Sequence, residues 1–266
     1  MQKLDNTDIN KLMKSEYDYF HIGSENRSIF GGEISVVPEF EYLASGCVLH
    51  NVKLNNDDTN LLTWLNDIET EFKKIEAPLC RFYLHPEINV NTKIFNEKGY
   101  EEVIEVGLIR HIENSLNDLK TVQGHLRLID DNNGWNIKKN LYKISGKGPD
   151  GHNMKNGAFA DFEKIKCDAS YMTSFLYWKD EEPIGTVSLA IKNGFARLKN
   201  LLVHPKYRGK GIGEEIVISL MHEAKKSKAT TFGVFAVKNM NAHKLYRSCG
   251  MKDILEQTEW SKELIC

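Results

Sequence analysis

Apolar and polar positions along this chain alternate in short blocks that switch between a period of two and a period near 3.6. Leu61, Leu62, Leu65, Ile68, Phe72 and Ile75 recur at helical spacing, which predicts a helix over 61–75. Strands are predicted before it, notably CVLHNVKL, and after Pro78, in CRFYLHP. A short helix from 90 to 98 ends at Gly99, a natural C-cap position, and YEEVIEVGLIRHI forms the next strand. The polar, turn-rich IENSLNDLKTVQG at 112–124 reads as a linker.

The second half repeats the theme. LRLID is strand-like, a helix fits 132–145, and another fits 158–166. Three strands follow, SYMTSFLYW, IGTVSLAI and ARLKNLLV, separated by KDEEP and by the hairpin signal Asn193-Gly194. After HPKYRGKGIG comes a helix with Ile212, Ile216, Val217, Leu220, Met221 and Ala224 on one face. TTFGVFAV is a strand, NAHKLYRSC a helix closed by Gly250, and MKDILE opens a last strand. With one residue of slack, NTKIFNEKGYEE aligns with AHKLYRSCGMKD. Lys93, Ile94, Phe95 and Gly99 fall on Lys244, Leu245, Tyr246 and Gly250, an offset of 151. A helix and then a strand precede each copy in the same order. The expected fold is therefore α/β with mixed sheets in two related domains, 1–115 and 124–266, joined by 116–123.

Composition narrows the function class. With 35 basic and 37 acidic residues the net charge is −2, which argues against a chain built to coat nucleic acid or anionic membrane. No window approaches 18 uninterrupted apolar residues. The opening MQKLDNTDINKLMKSE alternates charge with single apolar residues and lacks a signal-peptide core. Cys47, Cys80, Cys167, Cys249 and Cys266 are odd in number and never form CxxC. They read as reduced thiols of a cytoplasmic protein, with no metal expected.

Chemistry concentrates in LLVHPKYRGKGIG. A strand ends, Pro205 blocks its continuation, and Gly209, Gly211 and Gly213 lead into the amphipathic helix. Converging N–H groups, a helix N-terminus and the charges of Arg208 and Lys210 make an anion site suited to a pyrophosphate; the bland reading is a solvated glycine-rich turn. No GK[ST] follows, so this is not a Walker A loop. Gly146 to Gly151 also matches GxGxxG, but a helix precedes it and Pro149 lies inside it, so it reads as a loop.

Arg208, Gly211 and Gly213 after Val203-His204-Pro205, followed by Asn239, Ala242, Leu245-Tyr246 and Gly250-Met251, resemble the two motifs of the GNAT superfamily of acetyl-CoA-dependent N-acetyltransferases. The match is good over 185–252 and looser over 124–266. The resemblance implies that the backbone of Leu201, Leu202 and Val203 pairs with the pantetheine arm. It implies that Arg208, Gly209, Lys210, Gly211, Ile212 and Gly213 hold the pyrophosphate and that Asn239 contacts the cofactor. Tyr246 would protonate the leaving thiolate as general acid, during direct attack by the amine of a small molecule or protein. Without the resemblance, a tyrosine beside Leu245 reads as core.

The carboxylate that many members carry on the strand before the loop is missing: ARLKNLLV offers Lys199 and Asn200. Glu163, Tyr171 and Glu181 look no different from surface residues, and His204 sits at a strand end where exposure is expected. In the first half, the offset places Asp57-Asp58-Thr59-Asn60-Leu61-Leu62 where the glycine loop stands in the second, and Phe95 where Tyr246 stands. That half is expected to be a degenerate copy without cofactor, serving as scaffold or as a wall of the acceptor pocket. Two other classes compete with this reading: an acyl-CoA-binding regulator without catalysis, and a nucleic-acid binder using Lys206, Arg208, Lys210, Lys225, Lys226 and Lys228. Interspersed Glu214, Glu215 and Glu223 argue against the latter.

Overall fold

The computed structural model describes residues 6–54, 60–88, 90–113, 116, 118–146 and 157–264. Its helices are α1 (Asn6–His21), α2 (Leu61–Lys74), α3 (Lys93–Glu97), α4 (Asn132–Ser145), α5 (Ala158–Asp168), α6 (Ile212–Lys226) and α7 (Asn241–Ser248). Its strands are β1 (Glu25–Ile29), β2 (Gly32–Val36), β3 (Cys47–Val52), β4 (Leu79–Leu84), β5 (Glu101–His111), β6 (His125–Leu128), β7 (Met172–Lys179), β8 (Glu182–Lys192), β9 (Phe195–Val203), β10 (Thr231–Val237) and β11 (Lys252–Glu263). The expected mixed α/β architecture is present. Helix α1 is an addition: its buried stripe runs through Leu12, Met13, Glu16, Tyr19 and Phe20, so a buried charge interrupts the apolar period. Among the described residues, no helix is long and apolar enough to cross a membrane.

The chain forms two compact units, Met1–Glu16 with Gly107–Leu255 and Tyr17–Val106 with Glu256–Cys266. In the larger unit the strand order is β5-β10-β9-β8-β7-β6, antiparallel from β9 to β6 and parallel between β9 and β10. In the smaller it is β1-β2-β3-β4-β11-β5, with β3 and β4 the parallel pair. These units run differently from the linear division at 116–123. The 11-residue β5 and the 12-residue β11 are each long enough to start in one unit and finish in the other.

The internal repeat is visible in backbone detail. The amide of Tyr100 bonds the carbonyl of Phe95 and that of Gly99 bonds Asn96; at the offset of 151, Met251 bonds Tyr246 and Gly250 bonds Arg247. Gly99 and Gly250 both take left-handed φ, +82° and +75°, as a helix-terminating turn requires. In the smaller unit the core around this turn is aromatic: Phe95 meets Trp260 and Phe82 edge-on at 5.0 and 5.4 Å.

Candidate functional site

Strands β9 and β10 are registered only at Phe195–Thr231, Ala196–Phe232 and Arg197–Gly233. Both continue past that point, β9 to Val203 and β10 to Val237, without further pairing, so they splay. A bulge in β9 accompanies the opening. The β8 partner shifts between Thr186 and Ser188, and Asn200 adopts φ +56°, a conformation asparagine tolerates. Leu201 to Val203 thus continue as a strand edge that is not paired to β10. The side-chain Nε of Arg208 bonds the Val203 carbonyl at 3.1 Å, and its terminal nitrogen reaches Ser145 Oγ at 2.8 Å.

Past β9, His204 Nδ1 accepts the amide of Lys206 and so caps a single 3-10 turn at Pro205–Tyr207; the ring is half-buried rather than exposed. Gly209 and Gly211 then take φ of +73° and +78°, which only glycine adopts at little cost. Gly211 is the N-cap of α6 and offers no side-chain cap, so the first amides of α6 stay open to an anion. Arg208, Gly209, Lys210 and Gly211 are exposed, while Ile212 anchors the helix in the core. Gly213 faces Leu245 of α7: a Cβ there would stand 3.0 Å from Leu245 Cδ2.

Asn239 has φ +64° in the turn after β10 and is exposed; its amide bonds His243 Nδ1 at 3.1 Å. Tyr246, on the buried face of α7, is 5% exposed. Burial pushes its hydroxyl well above the ordinary phenol range, with nearby Arg197 acting the other way. The glycine-rich turn and Tyr246 are therefore carried by adjoining helices, α6 and α7.

The polar groups behind the bulge differ from the sequence expectation. Glu163 is fully buried, not a surface residue. Its Oε1 accepts from Ser188 at 2.7 Å and Asn200 at 2.9 Å; its Oε2 accepts from Tyr142 at 2.6 Å and lies 2.8 Å from the Lys138 ammonium. Its oxygens are occupied in holding the bulge, which suits a positioning role better than proton abstraction. Tyr171 and Glu181 are exposed, as expected. A second buried network went unseen in the sequence: Glu16 Oε2 bonds Arg197 at 2.6 Å, and Glu16 Oε1 bonds Lys199 at 3.1 Å. Burial alone would raise the Glu16 carboxyl, but Arg197 and Lys199 more than reverse this and hold it at about 2. Lys166, also enclosed, is pushed down to about 7 by burial and by Lys199. No spacing signal links Glu16 to Arg197, because 181 residues separate them.

In the smaller unit the corresponding strands stay together: Val52 pairs with Leu84, and the His85 amide bonds the Val52 carbonyl at 2.9 Å. Asn60 caps α2 by accepting the amides of Leu62 and Thr63. Asp57, Asp58 and Thr59 lie outside the described residues, as do 147–151 of the second glycine-rich stretch and Cys266.

Residues 147–251 match the model of the acetyltransferase (GNAT) family. No curated protein matches the chain. Similar solved structures include a functionally unknown conserved protein from Staphylococcus epidermidis ATCC 12228, with 14% identity and TM-score 0.69 over 94% of this chain and 98% of that one. A GCN5-related N-acetyltransferase from Kribbella flavida has 12% identity and TM-score 0.67 over 95% and 94%. A tandem GNAT protein from the clavulanic acid biosynthesis pathway has 9% identity and TM-score 0.56 over 96% and 95%. At these identities the likeness is one of fold, and it extends to the smaller unit.

Proposed function

We propose that this chain, whose residues 147–251 match the model of the acetyltransferase (GNAT) family, transfers acetyl from acetyl-CoA to a primary amine of a small molecule or protein. The observation that carries the proposal is the parting of β9 from β10 beside the uncapped start of α6. The pantetheine arm would add itself as a strand along Leu201 to Val203, and the pyrophosphate would take the amides from Arg208 to Gly213. Asn239 would contact the cofactor.

The amine nitrogen attacks the thioester carbonyl carbon, and a β9 backbone N–H steadies the oxyanion. As the C–S bond breaks, Tyr246 gives its proton to the departing sulfur; its place on α7, packed beside the helix that follows the glycine turn, supports this role. With Glu163 fully engaged, the amine arrives already deprotonated or passes its proton to water. The free thiols Cys47, Cys80, Cys167 and Cys249 support a cytoplasmic setting.

Tyr246→Phe should lower kcat about 100-fold while leaving the KM for acetyl-CoA within about twofold. Steady-state thiol release at saturating amine measures both; an unchanged kcat removes Tyr246 from the chemistry. The occupied Glu163 also favours a second reading, acyl-CoA binding without turnover. Tight acetyl-CoA binding with no thiol release across an amine panel would establish that reading in place of the first.

A further inference from the structure

We propose that His21, Glu33 and His50, in the smaller unit, bind one divalent transition-metal ion with the ligand preferences of Zn2+. One ligand-capable atom from each residue lies within 4.8 Å of the others. The fold brings them together in two steps. Glu33 on β2 and His50 on β3 are direct cross-strand partners in the antiparallel register, so both project from one face. His21, the last residue of α1, then reaches Glu33, with Nε2 and Oε2 2.7 Å apart and its ring centroid 5.2 Å from that of His50. The sequence intervals are too long and irregular for a motif, which is why residue spacing implied no metal.

A chain of hydrogen bonds selects the tautomer of His50. Asn26 Nδ2 donates to the Ser24 carbonyl at 3.0 Å, which orients the amide and turns Oδ1 toward Ser35. Ser35 Oγ donates to that Oδ1 at 2.7 Å, so its lone pairs face His50 Nε2 at 2.9 Å. His50 Nε2 must then be the protonated nitrogen and Nδ1 the one that carries a ligating lone pair. Metal-binding imidazoles are commonly held in this way, with the second nitrogen donating to an outer partner. Tyr17 and Phe20 fix the ring plane, at centroid distances of 5.3 and 4.9 Å. His21 and Glu33 remain about one-third exposed, leaving a path for the ion and room for a water as fourth ligand. The ion would take the place of the proton that His21 and Glu33 share. Two neutral imidazoles, one carboxylate and a water make an N2O2 set that tetrahedral Zn2+ accepts.

The test uses the full-length chain after chelator treatment, titrated with Co2+ by visible spectroscopy and with Zn2+ by calorimetry. The expected result is one ion per chain, tetrahedral Co2+ bands, and a rise in melting temperature on adding Zn2+. Glu33→Gln and His21→Ala, both at half-exposed positions, should each weaken binding at least ~10-fold without loss of fold by circular dichroism, and Ser35→Ala should weaken it by ~10-fold through the His50 tautomer. Stoichiometry well below one, or affinity unchanged in Glu33→Gln and His21→Ala, would overturn the site and leave an ordinary His21–Glu33 ion pair beside a buried histidine.

Discussion

Helices α2 and α6 begin at equivalent positions of the repeat, Leu61 and Ile212, yet their first turns are finished in opposite ways. The residue before α2 is Asn60, whose side chain consumes the amides of Leu62 and Thr63. The residue before α6 is Gly211, left-handed and without a capping side chain. The strands leading into them differ in the same sense. Val52 is paired to Leu84, whereas its counterpart Val203 ends a strand that has already parted from β10. The ring at the third position also differs: Phe95 is wholly enclosed among aromatics, and Tyr246 carries a hydroxyl. The two copies thus differ in three local choices, at the helix start, in the strand pairing and at the ring, none of which alters the order of the elements.

The harshest way to break the comparison is to cut the repeats apart. A fragment 124–266 lacks Gly107–His111 and Glu16, both parts of the larger unit, and should not fold; circular dichroism and urea titration would show it. Acid is a gentler probe of the same unit. Glu16 titrates at about 2 against an ordinary 4.5, so its stabilising contribution is complete above about pH 4.5 and is lost as pH falls toward 2. That loss is on the order of 3 kcal/mol, and Glu16→Gln should flatten the acid limb of stability between those values, read by urea denaturation across pH.

At the loop, Gly211→Asp would place a carboxylate where the pyrophosphate is proposed to lie. It should weaken acetyl-CoA binding by about 100-fold, or about 2.7 kcal/mol, by calorimetry. A Gly211→Asp variant that binds as well as the parent would mean the cofactor lies elsewhere. The smallest effect is expected in the other copy. Asn60→Ala should cost about 1 kcal/mol of stability through the lost cap and confer no affinity for acetyl-CoA, because β3 and β4 remain paired.

Much of the scaffold could be read from periodicity. The helix expected over 61–75 is α2, the short helix before Gly99 is α3, and the hairpin at Asn193-Gly194 joins β8 to β9. The glycine loop was legible because positive φ leaves a compositional trace at Gly209 and Gly211. Helix α1 was not, because Glu16 interrupts its buried stripe. Glu163 looked like a surface residue for a related reason: its partners Lys138, Ser188 and Asn200 come from three other elements.

The sequence by itself determined the repeat, the order of strands and helices from β3 onward, and the asymmetry between a glycine loop and its non-glycine counterpart. These depend on local propensity and on short-range backbone geometry. Tertiary structure decided where the units divide, which charges are buried, and whether the central parallel strands part or stay paired. Those outcomes depend on register and on partners far apart in the chain, as when Glu16 neutralises Arg197 or Glu33 meets His50 across β2 and β3. A residue's type records its own preference; only the folded chain records whom it meets.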